Sequence, residues 1–166
     1  MAKTLKNRGF TLIEIVIVIS IIIIASAFSG FINLDSYRGY SFRSERDTLV
    51  SGLQHARAQA IANVCRGVSC NDGRSQGVAI RPDDSGSSYV IFQSGSTSPE
   101  YAQRDSDFDV FLESSKNIVT GGSINEVVFA QLSGNVLNPG SIVLTDNAGN
   151  SSTIFINSEG QILWTN

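Results

Sequence analysis

One carboxylate stands inside an apolar segment near the start of the chain. Residues 10–32 contain Glu14 as their one formally charged side chain. As a helix, this segment is about 35 Å long, enough to cross about 30 Å of hydrocarbon. A charge inside a spanning helix costs at least about 2.5 kcal/mol, so Glu14 needs a specific chemical explanation.

Cys65 and Cys70 form a second candidate site, because they are five positions apart in one glycine-containing segment. In an oxidising compartment such a pair favours a disulfide, and closing this loop contributes about 2 kcal/mol in the chain-entropy model. A zinc site that adds His55 is the competing interpretation, but the sequence offers no obvious fourth ligand. Free thiols remain a third possibility. His55 is predicted to be an exposed helix residue.

The remaining sequence offers little catalytic chemistry. It contains one histidine, and it has no Gly-x-Ser-x-Gly elbow, phosphate loop or His-Glu-x-x-His pair. Asp105, Asp107 and Asp109 resemble the first half of a calcium loop, but Val110 stands where that loop needs glycine and Lys116 where it needs glutamate. A polar strand face is the favoured interpretation over calcium. The sequence predicts no enzyme, no resident metal and no cofactor.

A short cationic flank precedes the apolar segment and helps to position it in a membrane. Lys3, Lys6 and Arg8 precede it and stop at Gly9. By the positive-inside rule this end is cytoplasmic, so residues after Asp35 lie outside. A secretory signal has a shorter apolar stretch, of about 7–15 residues, followed by a small-residue cleavage site. An alternative interpretation of the whole segment is an ordinary signal anchor, in which Glu14 has no specific partner.

Helical periodicity continues after the apolar segment and then gives way to strands. Residues 33–63 are predicted to continue the first helix as an amphipathic one, with an apolar stripe of Phe42, Leu49, Leu53, Ala56, Ala60 and Ile61. Polar positions opposite this stripe are Arg43, Glu45, Asp47, Gln54, Arg57 and Gln59. Residues 64–166 contain short apolar runs between turn sequences, at 78–80, 89–92, 108–112, 127–130, 142–145, 153–156 and 161–164.

The segment Gly9-Phe10-Thr11-Leu12-Ile13-Glu14 resembles the processing site of type IV pilins and type II secretion pseudopilins. The resemblance implies that a prepilin peptidase removes residues 1–9 as a leader, cleaving after Gly9 and methylating the new amine of Phe10. It also implies that Glu14 neutralises the terminal amine of a neighbouring subunit in a filament. The implied partners are other pilin or pseudopilin subunits, the peptidase, an inner-membrane assembly platform and, before assembly, membrane lipid.

The helix from Leu49 to Ile61, with its Ala-Arg and Ala-Ile pairs, is similar to the minor-pseudopilin group called GspH/FimT. Some pilus members of that group bind DNA through arginines in the C-terminal part. Here no residue after Lys116 is basic, and losing the three leader cations changes the net charge from −3 to −6. Because DNA affinity depends on neutralising several phosphates, the sequence argues against nucleic acid as a partner.

Together these features predict an α+β, pilin-like fold. A long N-terminal helix has a transmembrane part (10–32) and an amphipathic part (33–63) that packs on a domain of two small antiparallel sheets (64–166). The expected function is a minor pilin or pseudopilin of a type IV pilus or a type II secretion pseudopilus. It is anchored in the inner membrane and then assembled into a periplasmic or surface filament. A membrane-anchored or pilus-tip binding module, for DNA uptake or adhesion, is the alternative.

Overall fold

The computed structural model describes residues 10–29, 34–67, 74–83, 86–95, 100–112, 114 and 118–165. The chain divides into two compact units between Tyr37 and Arg38. Helix α1 (Leu12–Ser29) lies in the first unit, and helix α2 (Leu34–Ile61) begins there and lies mostly in the second. The predicted continuity of the two helices depends on residues 30–33, which lie outside the described residues. Within the described ranges, no helix combines the length and apolarity that crossing a membrane requires.

Helix α2 buries one face, and this face includes most of the predicted apolar stripe. Its fully or nearly buried side chains are Phe42, Leu49, Val50, Leu53, Ala56 and Ala60. Two positions of the prediction are wrong. Ile61 is 46% exposed, and Glu45, predicted on the polar side, is buried. Glu45 lies one turn from Phe42 and Leu49, so it shares their side of the helix despite its charge.

Within the described residues, eight strands form two antiparallel four-stranded sheets, which confirms the predicted α+β class. The strands are β1 (Arg74–Asp83), β2 (Gly86–Gly95), β3 (Val110–Leu112), β4 (Ile118–Gly122), β5 (Glu126–Phe129), β6 (Gly140–Asp146), β7 (Ser151–Ile156) and β8 (Ile162–Thr165). The first sheet has the order β3-β2-β1-β5, and the second has the order β4-β6-β7-β8. β4 was not predicted, because Gly121 and Gly122 indicate a turn. In the structure both glycines pair with β6, opposite Val143 and Ile142.

One hydrophobic core joins α2 to both sheets. Leu49 and Leu53 of the helix, Phe129 of the first sheet, and Leu144 and Ile154 of the second are all fully buried in it. Each fully buried aliphatic or aromatic side chain contributes about 1.5–3 kcal/mol relative to exposure. Residues from all three layers are therefore needed to complete the core of the second unit.

The connection between β2 and β3 folds back over the outer face of the first sheet. From residue 100 onward, where the structure describes it, this connection contains two short 3₁₀-helices, Tyr101–Gln103 and Ser106–Phe108. The Tyr101 ring packs edge-on against Phe92, with centroids 5.3 Å apart, and the Arg104 guanidinium lies 3.8 Å above the Tyr101 ring. Arg104 Nε also donates to Asp109 Oδ2 at 2.7 Å, and the Asp109 side chain is only 2% exposed. The aromatic contact therefore packs this connection on the sheet, and the ion pair stabilises the connection itself.

We expect Arg104→Ala to lower the free energy of unfolding by about 2 kcal/mol, because it leaves the buried Asp109 carboxylate without its hydrogen-bond donor, while the partly exposed position of Arg104 admits water. The double variant Arg104→Ala/Asp109→Ala should recover part of this loss, because it removes the unpaired charge as well. Urea unfolding of the single and double variants measures the difference. A double variant no more stable than Arg104→Ala would contradict the role assigned to the ion pair.

Candidate functional site

The predicted processing site lies at the start of the described chain. Gly9 lies outside the described residues. Phe10 and Thr11 precede α1, and the Phe10 side chain is 77% exposed. The scissile bond predicted between Gly9 and Phe10 is thus two residues before Leu12, the first residue of α1. Whether the chain is cleaved there stays a prediction.

Thr11 caps the first turn of α1, a role that the sequence analysis missed. The Glu14 amide donates to the Thr11 carbonyl at 3.1 Å and reaches the Thr11 hydroxyl oxygen at 3.4 Å. The Ile15 amide donates to the same carbonyl at 3.3 Å. Thr11 and Glu14 have the Thr-x-x-Glu spacing of a capping box, in which the threonine accepts from the amide of the glutamate. The Thr-x-x-Glu pattern is the signal in the sequence that could have indicated this cap.

This geometry gives Glu14 a local role besides any role in assembly. Glu14 lies in the first turn of α1, where the helix dipole favours a negative charge. A glutamate at this position therefore stabilises the start of its own helix. An experiment on Glu14 has to separate this capping effect from pairing with another chain.

Beyond its first turn, α1 presents apolar side chains on every side. From Ile15 to Ile24 all large aliphatic side chains are between 47% and 62% exposed. The hydroxyls of Ser20, within this stretch, and Ser26, just after it, are satisfied within the helix, Ser20 donating to the Val16 carbonyl and Ser26 to the Ile22 carbonyl. From Ile15 to Ala27, the part of α1 beyond Glu14 whose side chains the structure describes, the helix surface therefore carries no polar group that needs water or a partner chain.

The predicted disulfide lies on a segment that the first sheet holds through buried glutamines. The Arg66 backbone amide donates to the side-chain oxygen of Gln93 at 3.0 Å, and the side-chain amide of Gln93 donates to the Arg66 carbonyl at 2.9 Å. Gln76 donates to the Val64 carbonyl at 2.9 Å. Cys65 lies between these anchored residues and has no free thiol. Cys70 lies outside the described residues, so its pairing with Cys65 stays a prediction.

The structure does not bring the other sequence candidates together into a metal or catalytic site. His55 is exposed on α2, as predicted, and its Nε2 lies 2.9 Å from Gln59 Nε2. Asp109 is engaged by Arg104. Among the residues that the structure describes, no group of three His, Cys, Asp or Glu side chains is arranged to hold a metal ion. The alternative calcium interpretation therefore gains no support from the placement of Asp109.

A buried polar cluster lies between α2 and the first sheet. The hydroxyl groups of Tyr89 and Ser114 are buried and have no hydrogen-bond partner of good geometry in the described structure. Burial raises the pKa of the Tyr89 hydroxyl, and the nearby Glu45 carboxylate raises it further. Tyr89 therefore stays neutral, and the cluster has no activated nucleophile.

Arg57, from the Ala-Arg pair of α2, connects the helix to the C-terminal hairpins. Its Nη2 donates to the Glu159 carbonyl at 3.0 Å. Gly160 and Gly134 both have positive φ angles, 75° and 67°, and approach this part of the helix closely. A Cβ on Gly160 would lie 2.7 Å from Arg57 Nε, and one on Gly134 would lie 2.6 Å from Ile61 Cγ1. Arg57 therefore has a structural role in holding two glycine turns against α2.

Comparison with known proteins gives one match. Residues 4–30 match the prokaryotic N-terminal methylation motif, and this range contains Gly9, Phe10 and Glu14. No curated protein and no solved structure matches the chain. The match thus concerns the capped, apolar N-terminal segment and ends before the second unit begins.

Proposed function

We propose that this chain, whose methylation motif is that of type IV pilin-like proteins processed by prepilin peptidase, is a minor filament subunit. The filament is a type IV pilus or a type II secretion pseudopilus. The observation that carries the proposal is the match over residues 4–30 to the N-terminal methylation motif. The apolar surface of α1 supports it, because such a helix needs lipid or other helices around it.

In this proposal, residues 10–32 occupy two apolar environments in turn, first the inner membrane and then the filament core. After removal of residues 1–9 they lie in the inner membrane, with the second unit outside, and an assembly platform transfers them into the filament core. Neither environment offers hydrogen bonds from water, and the hydroxyls of Ser20 and Ser26 need none because they donate to carbonyls of α1 itself. Transfer from lipid to a helix bundle therefore leaves its backbone and hydroxyl hydrogen bonds intact.

Glu14 supplies the specificity of this assembly. A carboxylate entering an apolar bundle alone is costly, and so is the charged amine of a processed Phe10. Pairing Glu14 of one subunit with the amine of its neighbour removes both unpaired charges, whereas a shift in register leaves both unpaired. The charge pair thus favours one stagger between adjacent helices.

The second unit supports a narrower proposal, that the chain belongs to the GspH/FimT group. Ala56 and Ala60 are fully buried against the core, and Arg57 holds the turns at Gly134 and Gly160. Three of the four residues in the Ala-Arg and Ala-Ile pairs, Ala56, Arg57 and Ala60, therefore have a definite packing role in this fold. We also propose the Cys65–Cys70 bridge, which would close the segment that Gln76 and Gln93 anchor.

Processing is tested by replacing Gly9 with a bulky residue. We expect Gly9→Leu to accumulate as the full-length, membrane-retained precursor when the chain is produced with prepilin peptidase. The wild-type chain should instead yield a product that begins at methylated Phe10. Intact-mass spectrometry of both membrane fractions measures this. A mature wild-type chain that starts at another residue would overturn the proposed processing.

A further inference from the structure

A solvent-open groove lies in the second unit between α2 and β3. Its volume is about 790 Å³. The helix side carries Arg43, Asp47 and His55, which are spaced by four and eight residues and so lie on one side of α2. The sheet side is apolar and consists of Ile91 on β2 and Val110 and Leu112 on β3.

The apolar side of the groove follows from the strand register. Ile91 is paired with Val110, and Tyr89 is paired with Leu112, so these four side chains lie on the face that meets α2. Val110 is nevertheless 41% exposed. Gly52 of α2 allows Leu112 to pack closely against the helix, because a Cβ at this position would lie 2.7 Å from Leu112 Cδ1. The groove therefore offers partly exposed apolar surface beneath a helix.

The groove lies beside an open edge of the first sheet. β3 is the last strand of that sheet, and it pairs with β2 through three residues. Across the described ranges, no strand pairs with the other side of β3. Backbone N–H and C=O groups along a free edge can accept an added strand, and side-chain pockets beside such an edge select alternate residues of that strand.

The charges along the helix side favour an acidic occupant. Both Nε and Nη2 of Arg46 contact Asp47 Oδ1, at 3.0 and 2.9 Å, so this carboxylate is already neutralised. Arg43 is exposed, and it makes no ion pair with a residue in the described part of the chain. The groove thus has a net cationic side in a protein whose overall charge is −3. A ligand carboxylate near Arg43 gains from this local charge.

We propose that this groove binds an extended peptide segment of another protein, which adds to β3 as a further strand. Its alternate apolar side chains pack on Val110 and Leu112, and an acidic residue of the segment faces Arg43. Main-chain hydrogen bonds to the free edge of β3 supply affinity, and the apolar and cationic sides of the groove select the side chains of the bound segment. The inference does not depend on filament assembly, because every contact lies in the second unit.

The test uses the mature chain in detergent micelles and a short synthetic peptide that alternates valine and threonine with a glutamate at each end. The matched peptide has lysine at both ends. We expect the glutamate peptide to bind at least about tenfold more tightly than the lysine peptide at low salt. It should also slow amide hydrogen exchange at β3. Unchanged exchange at β3 with both peptides would overturn the proposal.

Paired variants locate the binding. Val110→Asp places a charge in the groove, whereas Phe111→Asp places it on the opposite face of the same strand, where Phe111 is 68% exposed. We expect Val110→Asp to weaken peptide binding at least about tenfold more than Phe111→Asp. Arg43→Glu should reverse the preference between the two peptides, whereas Arg38→Glu, outside the groove, should keep it.

Three results would overturn the proposal even if a peptide binds. One is equal weakening by the two aspartate variants, and another is an unchanged peptide preference in Arg43→Glu. The third is protection of the β3 amides without peptide that rises with protein concentration, because this would assign the edge to a second copy of the chain. Thermal unfolding of each variant confirms that the comparison is made between folded proteins.

Discussion

Glu14→Gln should be processed normally and yet enter filaments as poorly as Glu14→Ala. Glutamine keeps the size of the side chain and can also occupy the third position of a capping box. It therefore preserves the start of α1 that Thr11 and residue 14 form together. What glutamine cannot supply is the negative charge that is proposed to neutralise the amine of a neighbouring subunit.

The expected magnitude follows from the cost of leaving a buried charge unpaired. Removing one partner of a buried ion pair costs about 3–5 kcal/mol, which corresponds to more than about a hundredfold in an assembly equilibrium. Loss of a helix cap costs only about 0.5–2 kcal/mol. The two explanations of Glu14 therefore predict different outcomes for glutamine, although both predict a loss for alanine.

The measurement is the amount of each variant in sheared or isolated filaments, relative to its amount in the membrane. Thr11→Ala is the matched control, because it removes the hydroxyl of the cap and keeps the carboxylate of Glu14. We expect Thr11→Ala to remain much closer to wild type than Glu14→Gln. Wild-type incorporation of Glu14→Gln would refute the charge pairing and leave the local cap as the function of Glu14.

Gly160→Ala should lower the free energy of unfolding by at least about 3 kcal/mol. A left-handed backbone conformation costs an L-residue with a Cβ about 1–2 kcal/mol, and Gly160 has a φ of 75°. The added Cβ would also meet the Gly134 carbonyl oxygen and lie 2.7 Å from Arg57 Nε. Because the obstruction includes backbone, relief requires moving a turn away from α2.

Gly149→Ala separates the conformational cost of a left-handed backbone from the cost of the steric obstruction. Gly149 has a similar φ of 86°, but a Cβ there would have no heavy atom within 4 Å. We expect this control to lose only the conformational part, about 1–2 kcal/mol. Guanidinium unfolding of the mature chain in detergent micelles, followed by the fluorescence of Trp164, compares the variants. Equal losses at the two glycines would show that close packing of the turn on Arg57 contributes nothing.

The sequence alone determined the local features of this protein. The cationic flank and the apolar segment predicted a membrane-spanning start of the chain, and the resemblance of residues 9–14 to a pilin processing site implied that it is processed. The methylation motif at residues 4–30 supports the second prediction. Periodicity predicted most of α2 and seven of the eight strands found among the described residues. These features depend on neighbouring residues, so a short stretch of sequence carries enough information to indicate them.

Only the tertiary structure decided the features that depend on distant residues. Glu45 is buried although it is charged, and Gly121 and Gly122 belong to β4 because β6 pairs with them. Arg57 bonds to Glu159, which is 102 residues away, and the groove exists because β3 ends a sheet beneath α2. Periodicity describes which side of an element is apolar, but it does not describe which surface that side meets. Strand order and the packing of glycine turns on α2 supply that information, because they join segments far apart in the chain.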